Sequence, residues 1–388
     1  MIREMTLTGF LSFGSGANSI ELRPLNLLIG PNGAGKSNLV EAFAVLRAAP
    51  RDLPAPIREG GGVREWLWRG ESPASEASIE LLLEQGRVSD QSALRYRLGF
   101  GAEGDAFTVL DERLADAAPT SEGAAPTLHF GYEGGRPTIK IGAHHRALRR
   151  EDIDPTQSIL AQRRDPESYP EITALAAELA KIRIYRDWSF GPNAPVRASC
   201  RADVQTSALS EALDNLPARL AVLRRDRRVR DRLREHLRDL SPGFDDFEVV
   251  PEGGRLLLEV REGTRNTAAR RLSDGTLRYL CLLAILLDPT PPPVIVLEEP
   301  ELGLHPDTLP AIRDLLVDAS ARTQLVVTTH STVLVDAFSG DPEVVLVCDK
   351  IDDQSVVRRL DAAQVDAWRE EGSLADLWLR GHLGGTRW

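Results

Sequence analysis

The feature that most constrains this chain is the stretch at residues 30–37, which reads GPNGAGKS. Its spacing is G-x-x-x-x-G-K-[ST], and it lies between an apolar segment at about 20–29 and a helix predicted for about 36–47. Glycines let backbone N–H groups close around phosphate oxygens, and the helix N terminus adds a favourable dipole. The sequence therefore predicts a strand, a phosphate-binding loop and a helix in direct succession.

The residue types in this loop indicate a nucleoside triphosphate bound with magnesium. Lys36 is placed to contact the β- and γ-phosphates, and the Ser37 hydroxyl is placed to ligate Mg²⁺. A glycine-rich turn without a ligand is the alternative. The predicted ATP-binding residues are Gly30, Pro31, Asn32, Gly33, Ala34, Gly35, Lys36, Ser37 and Asn38.

An apolar segment at 294–297, VIVL, ends in the acidic pair Glu298 and Glu299, followed by Pro300. A strand of this kind would deliver both carboxylates to the edge of a sheet. Glu298 is placed to hold Mg²⁺ or its water, and Glu299 is placed to polarise the attacking water as a catalytic residue. Paired acids after an apolar run are common, so this interpretation depends on the phosphate loop in the same chain.

The segment LSDGTLR at 272–278 opens an apolar helix predicted for about 274–288. As an N-cap sequence it needs no role beyond starting that helix. Its serine hydroxyl and glycine backbone would also form a second anion-binding helix terminus, which suits the nucleotide of a partner subunit. We therefore predict that Ser273, Asp274 and Gly275 act in trans in an isologous homodimer with two nucleotides buried between the copies.

His330 follows the segment QLVVTT at 324–329, which is predicted as a further strand of the sheet. A lone histidine after a strand usually has a structural role. Here it would end the strand that follows the acidic one, where its ring could reach a γ-phosphate. Given the other motifs, we predict that His330 is catalytic together with Glu299 and Lys36.

The order of short strands and helices predicts an α/β fold with a doubly wound, mainly parallel sheet. Alternating runs between 77 and 142 indicate an antiparallel β-subdomain, and helical periodicity from about 151 to 240 indicates a helical insertion. The predicted segments are 1–150 with the phosphate loop and the β-subdomain, 151–240 as the insertion, and 241–388 with the remaining motifs and a C-terminal tail.

The net charge is −11, from 47 basic and 58 acidic residues, so a phosphate backbone would repel the chain unless basic residues are gathered locally. Arginines are concentrated at 219–240, where a solvated helix face is the alternative to a nucleic-acid or acidic-partner surface.

The three cysteines show no paired spacing, the start lacks a signal-peptide core, and the apolar run at 279–287 is too short to cross a bilayer. We expect a cytoplasmic protein without a membrane partner.

In this order the motifs resemble those of ABC-type ATPases, with LSDGT as the signature. The sequences GPNGAGKSN, LEEPELGLHP and FLSFGSG are more similar to the SMC, RecF and OLD-like branch than to transporter subunits. YRDWSFGPNAPVR at 185–197 and SLADLWLRGHLGG at 373–385 look like segments of predicted bacterial single-chain ATPases of this group. The resemblance implies a P-loop NTPase fold of ABC type, ATP hydrolysis with ATP and Mg²⁺ bound, and a homodimer.

Several residues depart from the pattern of that family. Glu298 stands where aspartate is usual, Asp274 replaces the middle glycine of the signature, and His305 replaces an aspartate at the subunit seam. None of these changes removes an essential ligand type. The family's magnesium-sensing glutamine is assigned to Gln157, for which an ordinary surface glutamine is the alternative, so the predicted metal ligands are Ser37, Glu298 and Gln157.

Three functions are compatible with these motifs. The first is an ATPase linked to nucleic acid in DNA repair or anti-phage defence, whose dimer closes on ATP and reopens on hydrolysis. The second is an ATP-switched scaffold or regulator of a protein effector such as a nuclease or toxin. The third, a transporter's nucleotide-binding subunit, is disfavoured by the insertion and by LEEPE. The residues that follow the last predicted strand, QSVVRRLD at 354–361, are too few for a Toprim domain, so no built-in nuclease is expected.

Overall fold

The computed structural model divides the chain into two compact units. Unit 1 comprises Met1–Ile182, Glu343–Asp361 and Trp378–Trp388, and unit 2 comprises Arg183–Pro342 and Ala362–Leu377. The structure describes residues 1–86, 88–89, 92–119, 125–133, 136–142, 144–361, 363, 365 and 372–384. Gly385, the last residue of the predicted tail segment, lies outside the described residues.

The elements combine runs of consecutive strands with strands that alternate with helices. The strands are β1 (Ile2–Thr8), β2 (Asn18–Glu21), β3 (Leu25–Ile29), β4 (Glu76–Leu83), β5 (Leu94–Glu103), β6 (Ala106–Asp116), β7 (Leu128–Glu133), β8 (Arg136–Ile141), β9 (His144–Ala147), β10 (Arg183–Tyr185), β11 (Cys200–Arg201), β12 (Phe244–Glu252), β13 (Arg255–Glu262), β14 (Arg265–Ala268), β15 (Val294–Glu298), β16 (Gln324–Thr328), β17 (Val345–Ile351) and β18 (Gln354–Arg359). The helices are α1 (Lys36–Ala48), α2 (Pro54–Glu59), α3 (Val63–Trp66), α4 (Ile159–Gln162), α5 (Pro170–Leu179), α6 (Leu216–Leu223), α7 (Arg227–Leu240), α8 (Asp274–Leu286), α9 (Leu309–Ser320), α10 (Thr332–Asp336) and α11 (Leu374–Leu379).

Unit 1 contains an antiparallel sheet with the strand order β2-β1-β4-β5-β6-β7-β8-β9. In β4 the residues Ala77, Ile79, Leu81 and Leu83 are buried at every second position, which is the period of a strand with one face on a core. The predicted antiparallel β-subdomain is therefore confirmed, and the alternating runs in the sequence were its signal.

Strand β3, which leads into the phosphate loop, is buried along its whole length and pairs in parallel with β17. The sequence predicted one strand over 20–29, whereas the structure has β2 and β3. Pro24 lies between them, where a residue without an N–H interrupts a ladder. Asn26 fixes this break, because its side chain accepts from Arg23 N at 2.9 Å and donates to Arg23 O at 2.6 Å.

Unit 2 contains the parallel strands β10, β15 and β16, with α9 connecting β15 to β16. Strand β16 is fully buried, and β15 is buried except for its last residue. Continuous apolar runs of this kind suit parallel strands covered on both faces. The α/β class with parallel strands is confirmed. The segment predicted as a helical insertion contains strand β10 as well as helices. The sequence did not predict this strand, because RIY is too short to show the periodicity of a strand.

A second, antiparallel sheet of unit 2 has the order β11-β13-β12, with β14 paired to β13. Helix α7 packs on β12 through Val229, Leu233 and Leu237, which recur at the spacing of one helix face. Its arginines lie on the other faces. Among the described residues, none of the helices combines the length and apolar character needed to cross a bilayer.

Candidate active site

The glycines of the phosphate loop occupy conformations or spaces that a side chain would not tolerate. Gly30 and Gly35 have φ values of 147° and 102°. A Cβ added to Gly30 would lie 2.3 Å from the carbonyl oxygen of Cys348, and one added to Gly35 would lie 2.2 Å from Oγ of Ser355. Gly33 has φ 84° with open space around it. The loop can therefore present its backbone N–H groups to a ligand at close range.

Lys36, the first residue of α1, points back into this loop. Its Nζ donates to Gly30 O at 2.7 Å and to Pro31 O at 3.1 Å, and the residue is only 7% exposed. The loop backbone thus curls around a cationic amine at the N terminus of a long helix. Positive charge, backbone amides and the helix dipole together suit the binding of an anion.

The next two residues of α1, Ser37 and Asn38, differ in exposure and in their contacts. Ser37 is exposed on the first helical turn, whereas Asn38 is half-buried and donates through Nδ2 to Oγ of Ser12 at 2.6 Å. Oγ of Ser12 also lies 2.6 Å from Oγ of Ser355. Asn38 therefore fastens α1 to the loop after β1 and to β18, and Ser37 stays a predicted magnesium ligand.

Gln157, the predicted magnesium-sensing glutamine, lies in unit 1 just before α4. Its Oε1 accepts from Leu53 N at 3.2 Å, and its Nε2 lies 3.5 Å from Oδ1 of Asp52. These contacts hold the start of α2. The role of Gln157 as a metal ligand stays a prediction.

In unit 2, the acidic pair lies at the end of β15. Glu298 is the last residue of the strand, and Glu299 has φ 47°, a left-handed conformation that is uncommon outside glycine. The N–H of Glu299 donates to Thr328 O at 3.1 Å, so the end of β16 helps to hold this conformation. Strained backbone of this kind persists where the surroundings determine it, and it is concentrated at functional sites.

His330 follows β16 and meets the acidic pair. Its Nε2 lies 3.6 Å from Oε1 of Glu299, and the two side chains are 37% and 36% exposed. Ser331 starts α10 by accepting from Leu334 N at 3.2 Å. Adjacent parallel strands thus bring together two residues predicted as catalytic, in a position open to solvent.

Glu301 is a functional candidate that the sequence did not single out as a site residue. It is 9% exposed, and its Oε1 accepts from the hydroxyl of Thr329 and from His330 N at 3.2 Å. Burial raises the pKa of this carboxyl, although these hydrogen bonds oppose the shift. Glu301 thus holds the backbone at His330 through a buried carboxylate. Its position two residues after Glu299 was the available signal.

The signature residues lie at the exposed N terminus of α8. Oγ of Ser273 accepts from Thr276 N at 3.1 Å, which confirms the predicted cap of this helix. Asp274 is exposed and forms an ion pair with Arg197. A Cβ added to Gly275 would lie 3.1 Å from Gly303 O, so the loop after the acidic pair packs against the signature.

The structure also shows contacts around Arg278 that the sequence did not predict. Its guanidinium packs over the rings of Trp188 and Phe190, with 5.0 Å to each ring centroid. The acidic pair, His330 and the signature all belong to unit 2, whereas the phosphate loop and Gln157 belong to unit 1.

Comparisons with known proteins give the family and the fold. The family described as "AAA domain, putative AbiEii toxin, Type IV TA system" matches residues 25–336. Among curated proteins, the Chromosome partition protein Smc of Mycobacterium leprae (strain TN) is 25% identical over 240 residues, which are 56% of this chain and 20% of that protein. The chain thus spans about one fifth of the length of this relative.

Solved structures of SMC heads have a similar fold. The SmcHead bound to the C-winged helix domain of ScpA has a TM-score of 0.61 and 16% identity, covering 94% of this chain and 99% of that one. The Smc head domain with an extended coiled coil, bound to the C-terminal domain of ScpA derived from Pyrococcus furiosus, has a TM-score of 0.56 and 16% identity, covering 95% and 98%. At such identities the likeness concerns the fold.

The family match includes the phosphate loop, the signature, the acidic pair and His330. Together with the SMC-head fold, it makes this protein an ATP hydrolase of the ABC type. The chain belongs to the family described as AAA domain, putative AbiEii toxin, Type IV TA system, and its fold is similar to that of SMC heads.

Proposed function

We propose that this protein is a magnesium-dependent ATPase that closes as a homodimer around two ATP molecules and couples hydrolysis to a nucleic-acid transaction, in DNA repair or anti-phage defence. The main support for the dimer is that the start of α8, which is capped by Ser273, is exposed. The chain has one backbone anion site in its phosphate loop and a second at Ser273 and Gly275. In the closed dimer, the second site of one copy completes the phosphate contacts of the other.

The residues of the phosphate loop and of the acidic pair divide the work on ATP. Lys36 contacts the β- and γ-phosphates, and Ser37 and Glu298 hold magnesium. A hydroxyl on an exposed helical turn and a half-buried carboxylate are the hard oxygen donors that this ion prefers. When bound, Mg²⁺ neutralises charge on the phosphate oxygens. Gln157 is the third proposed ligand, and ligation would replace its present bonds to the start of α2.

Glu299 and His330 act on the reacting atoms. The carboxylate of Glu299 accepts a hydrogen bond from the attacking water and takes its proton as the new bond to the γ-phosphorus forms, while the bond from that phosphorus to the β-phosphate oxygen breaks and ADP leaves. His330 donates to a γ-phosphate oxygen, where negative charge accumulates. The distance of 3.6 Å between Nε2 and Oε1 lets the two side chains act on neighbouring atoms of one substrate.

The dimer is tested with the Glu299→Gln protein, which should bind ATP without hydrolysing it. Mass measurement in solution should show monomers without nucleotide and dimers with Mg-ATP. Adding Ser273→Arg to this protein places a large cation at the start of α8 and should abolish pairing while ATP binding persists. The matched control is Thr290→Arg, an exposed site just beyond the other end of the same helix. Pairing that survives Ser273→Arg would refute the ATP-sandwich arrangement.

The link to nucleic acid rests on weaker support and has its own test. It is supported by the likeness to a chromosome partition protein and by the exposed arginines around the start of α7, including Arg225, Arg227 and Arg228. Duplex DNA should raise ATP turnover, and its binding should weaken steeply between about 50 and 200 mM salt because counterions are released. Turnover that is unaffected by DNA at low salt would contradict this role.

A second candidate function is an ATP-switched scaffold for a protein effector. It is favoured by the description of the family, which includes a toxin, and by the SMC heads that were solved with a bound ScpA domain. An effector encoded beside this protein should then co-purify with it, and Mg-ATP or Glu299→Gln should change the amount retained. Equal retention in every nucleotide state would exclude an ATP switch. The proposed site of action is the cytoplasm.

A further inference from the structure

A segment of unit 2 that carries no predicted role lies against the acidic pair. In this aromatic segment, residues 185–197, the rings of Tyr185 and Trp188 are stacked at 6.1 Å between centroids, and those of Trp188 and Phe190 at 6.3 Å. The indole Nε1 of Trp188 donates to the carbonyl oxygen of Glu298 at 2.7 Å. The stacked rings are therefore joined, through the indole of Trp188, to the backbone of a proposed magnesium ligand.

Arg278 joins this segment to the signature helix. It is the fifth residue of α8, is 6% exposed and packs over the rings of Trp188 and Phe190. Its Nη1 donates to the carbonyl oxygen of Glu299 at 3.1 Å. Burial lowers the pKa of this guanidinium, and the nearby carboxylates of Glu299 and Glu301 oppose that shift. An arginine buried in this way needs its ring and carbonyl partners.

Arg197, at the other end of the aromatic segment, holds the loop before α8. It donates to Phe190 O and to Leu272 O, each at 2.7 Å, and forms an ion pair with Asp274. Further donations reach the carbonyl oxygens of Ala269 and Arg270 at 3.3 Å. The same segment thus bonds to the signature at one end and to the acidic pair at the other.

Glu299 is the residue on which this linkage acts. Its left-handed backbone is held by Thr328 through its N–H, and by Arg278 and Leu302 through its carbonyl oxygen. A shift of the start of α8 moves Arg278, and Arg278 moves the peptide that carries the Glu299 carboxylate. Geometry at a reacting centre is sensitive to such shifts, since a misplacement of about 1 Å can lower a rate about a hundredfold.

We propose that Arg278, packed against the rings of Trp188 and Phe190, is a positioning residue that couples the signature of each subunit to the catalytic glutamate of the same subunit. Contact of Ser273 and Gly275 with the partner's nucleotide then sets the position of Glu299, so that each site becomes competent only when the opposite one is filled. This coupling rests on the proposed dimer. It concerns a contact within one chain and is tested separately.

The first experiment compares Arg278→Lys with Arg313→Lys. Arg313 is a matched control because its guanidinium also lies over a ring, that of Phe338, at 5.5 Å elsewhere in unit 2. Arg278→Lys should lower kcat by about tenfold or more and leave KM for ATP and the melting temperature near those of wild type. In the Glu299→Gln background it should still pair with Mg-ATP. Arg313→Lys should retain wild-type kcat.

The second experiment uses the fluorescence of Trp188 to report on its contact with Arg278. The chain has six tryptophans, so the emission of Trp188 is isolated as the difference between wild type and Trp188→Phe. Mg-ATP should change this difference signal in the Glu299→Gln background, and Ser273→Arg should abolish the change while ATP still binds. Trp188→Leu, which removes ring and donor, should reproduce the loss of kcat seen with Arg278→Lys.

The outcomes separate the two proposals. If Glu299→Gln protein fails to pair with Mg-ATP, the proposed dimer is refuted, and the coupling with it. If it pairs but Arg278→Lys keeps full kcat, or the Trp188 signal responds equally in the Ser273→Arg protein, the coupling is overturned and the dimer stands. A parallel fall of kcat and melting temperature in Arg278→Lys, with no Trp188 signal, would reduce Arg278 to a structural residue and would also overturn the coupling.

Discussion

Nε2 of His330 lies 3.6 Å from Oε1 of Glu299, and each side chain is only about one-third exposed. The two residues are 31 positions apart in sequence and come together because β15 and β16 are adjacent and parallel, with Glu298 paired to Thr328. Parallel strands end at the same edge of a sheet, where ligands of α/β folds bind. This pair is therefore where we place the proposed chemistry of unit 2.

Replacement of His330 by alanine should lower kcat for ATP hydrolysis by about a hundredfold, because it removes a donor aimed at developing charge. ATP affinity should change little, since Lys36 and its loop are untouched. Steady-state hydrolysis and an equilibrium ATP titration measure the two effects. His144→Ala, at an exposed position of β9, is the control. Full turnover in His330→Ala would show that this histidine is structural.

Replacement of Lys36 by alanine should weaken ATP binding by about 10- to 100-fold, because hydrogen bonds to charged groups contribute about 1.5–3 kcal/mol. Calorimetric titration with Mg-ATP is the measurement. Lys181→Ala is the matched control, since Lys181 is exposed and ion-paired to Glu178 at 2.8 Å. Equal ATP affinity in both variants would place the nucleotide elsewhere.

A buried histidine in unit 1 should make stability depend on pH. Nε2 of His129 lies 2.9 Å from Asp116 Oδ1, and Nδ1 lies 3.3 Å from Glu171 Oε2. Burial lowers the pKa of His129, but the two carboxylates raise it more, so the net shift is upward. The stabilisation is complete below about pH 6.5 and is lost as pH rises through the raised pKa.

His129→Gln should therefore cost about 1–3 kcal/mol near pH 6 and less near pH 9, as measured by urea unfolding. His236 provides a control of opposite sign, because burial and Arg232 lower its pKa. A lowered pKa penalises the folded state as pH falls, so the difference between wild type and His236→Gln should shift the other way. A pH-independent cost of His129→Gln would mean that the ring is neutral throughout.

Glu112 should give a second pH dependence in unit 1. Burial raises its pKa to about 7, although it accepts from Tyr96 Oη at 2.7 Å, Ser158 Oγ at 2.6 Å and Ile159 N at 2.8 Å. With a raised pKa, its contribution to stability is present below about pH 4.5 and is lost as pH rises through 7. Glu112→Gln, a neutral isostere, should remove this slope, so melting temperatures at pH 5 and pH 8 should differ less in the variant. An equal difference in melting temperature between pH 5 and pH 8 in wild type and in Glu112→Gln would contradict the raised pKa.

The parts of the site that could be predicted from sequence are those set by neighbouring residues. The phosphate loop depends on glycine spacing within eight positions, the start of α8 on a cap at Ser273, and the acidic pair on the apolar run before it. Each is a pattern of neighbouring residues. The helices predicted at about 36–47 and 274–288 accordingly match α1 and α8 to within two residues.

The contacts between distant segments could not be predicted in this way. Trp188 and Arg278 are 90 positions apart, and no spacing in the sequence indicates that an indole would cover this guanidinium. The burial of Glu301 beneath His330 likewise depends on the pairing of two strands. The sequence indicated segment 185–197 through its resemblance to related ATPases, and that resemblance gave no partner for Trp188. The boundaries 1–150, 151–240 and 241–388 stay a prediction.

The left-handed backbone of Glu299 has a consequence for the range of side chains that this position can accept. Glycine, asparagine and aspartate tolerate such a φ, whereas β-branched residues do not. Turnover, in contrast, needs a carboxylate. A complete mutational survey of position 299 would therefore rank variants in two different orders, by yield of folded protein and by ATP turnover, and aspartate alone would stand high in the first while keeping the acid required by the second.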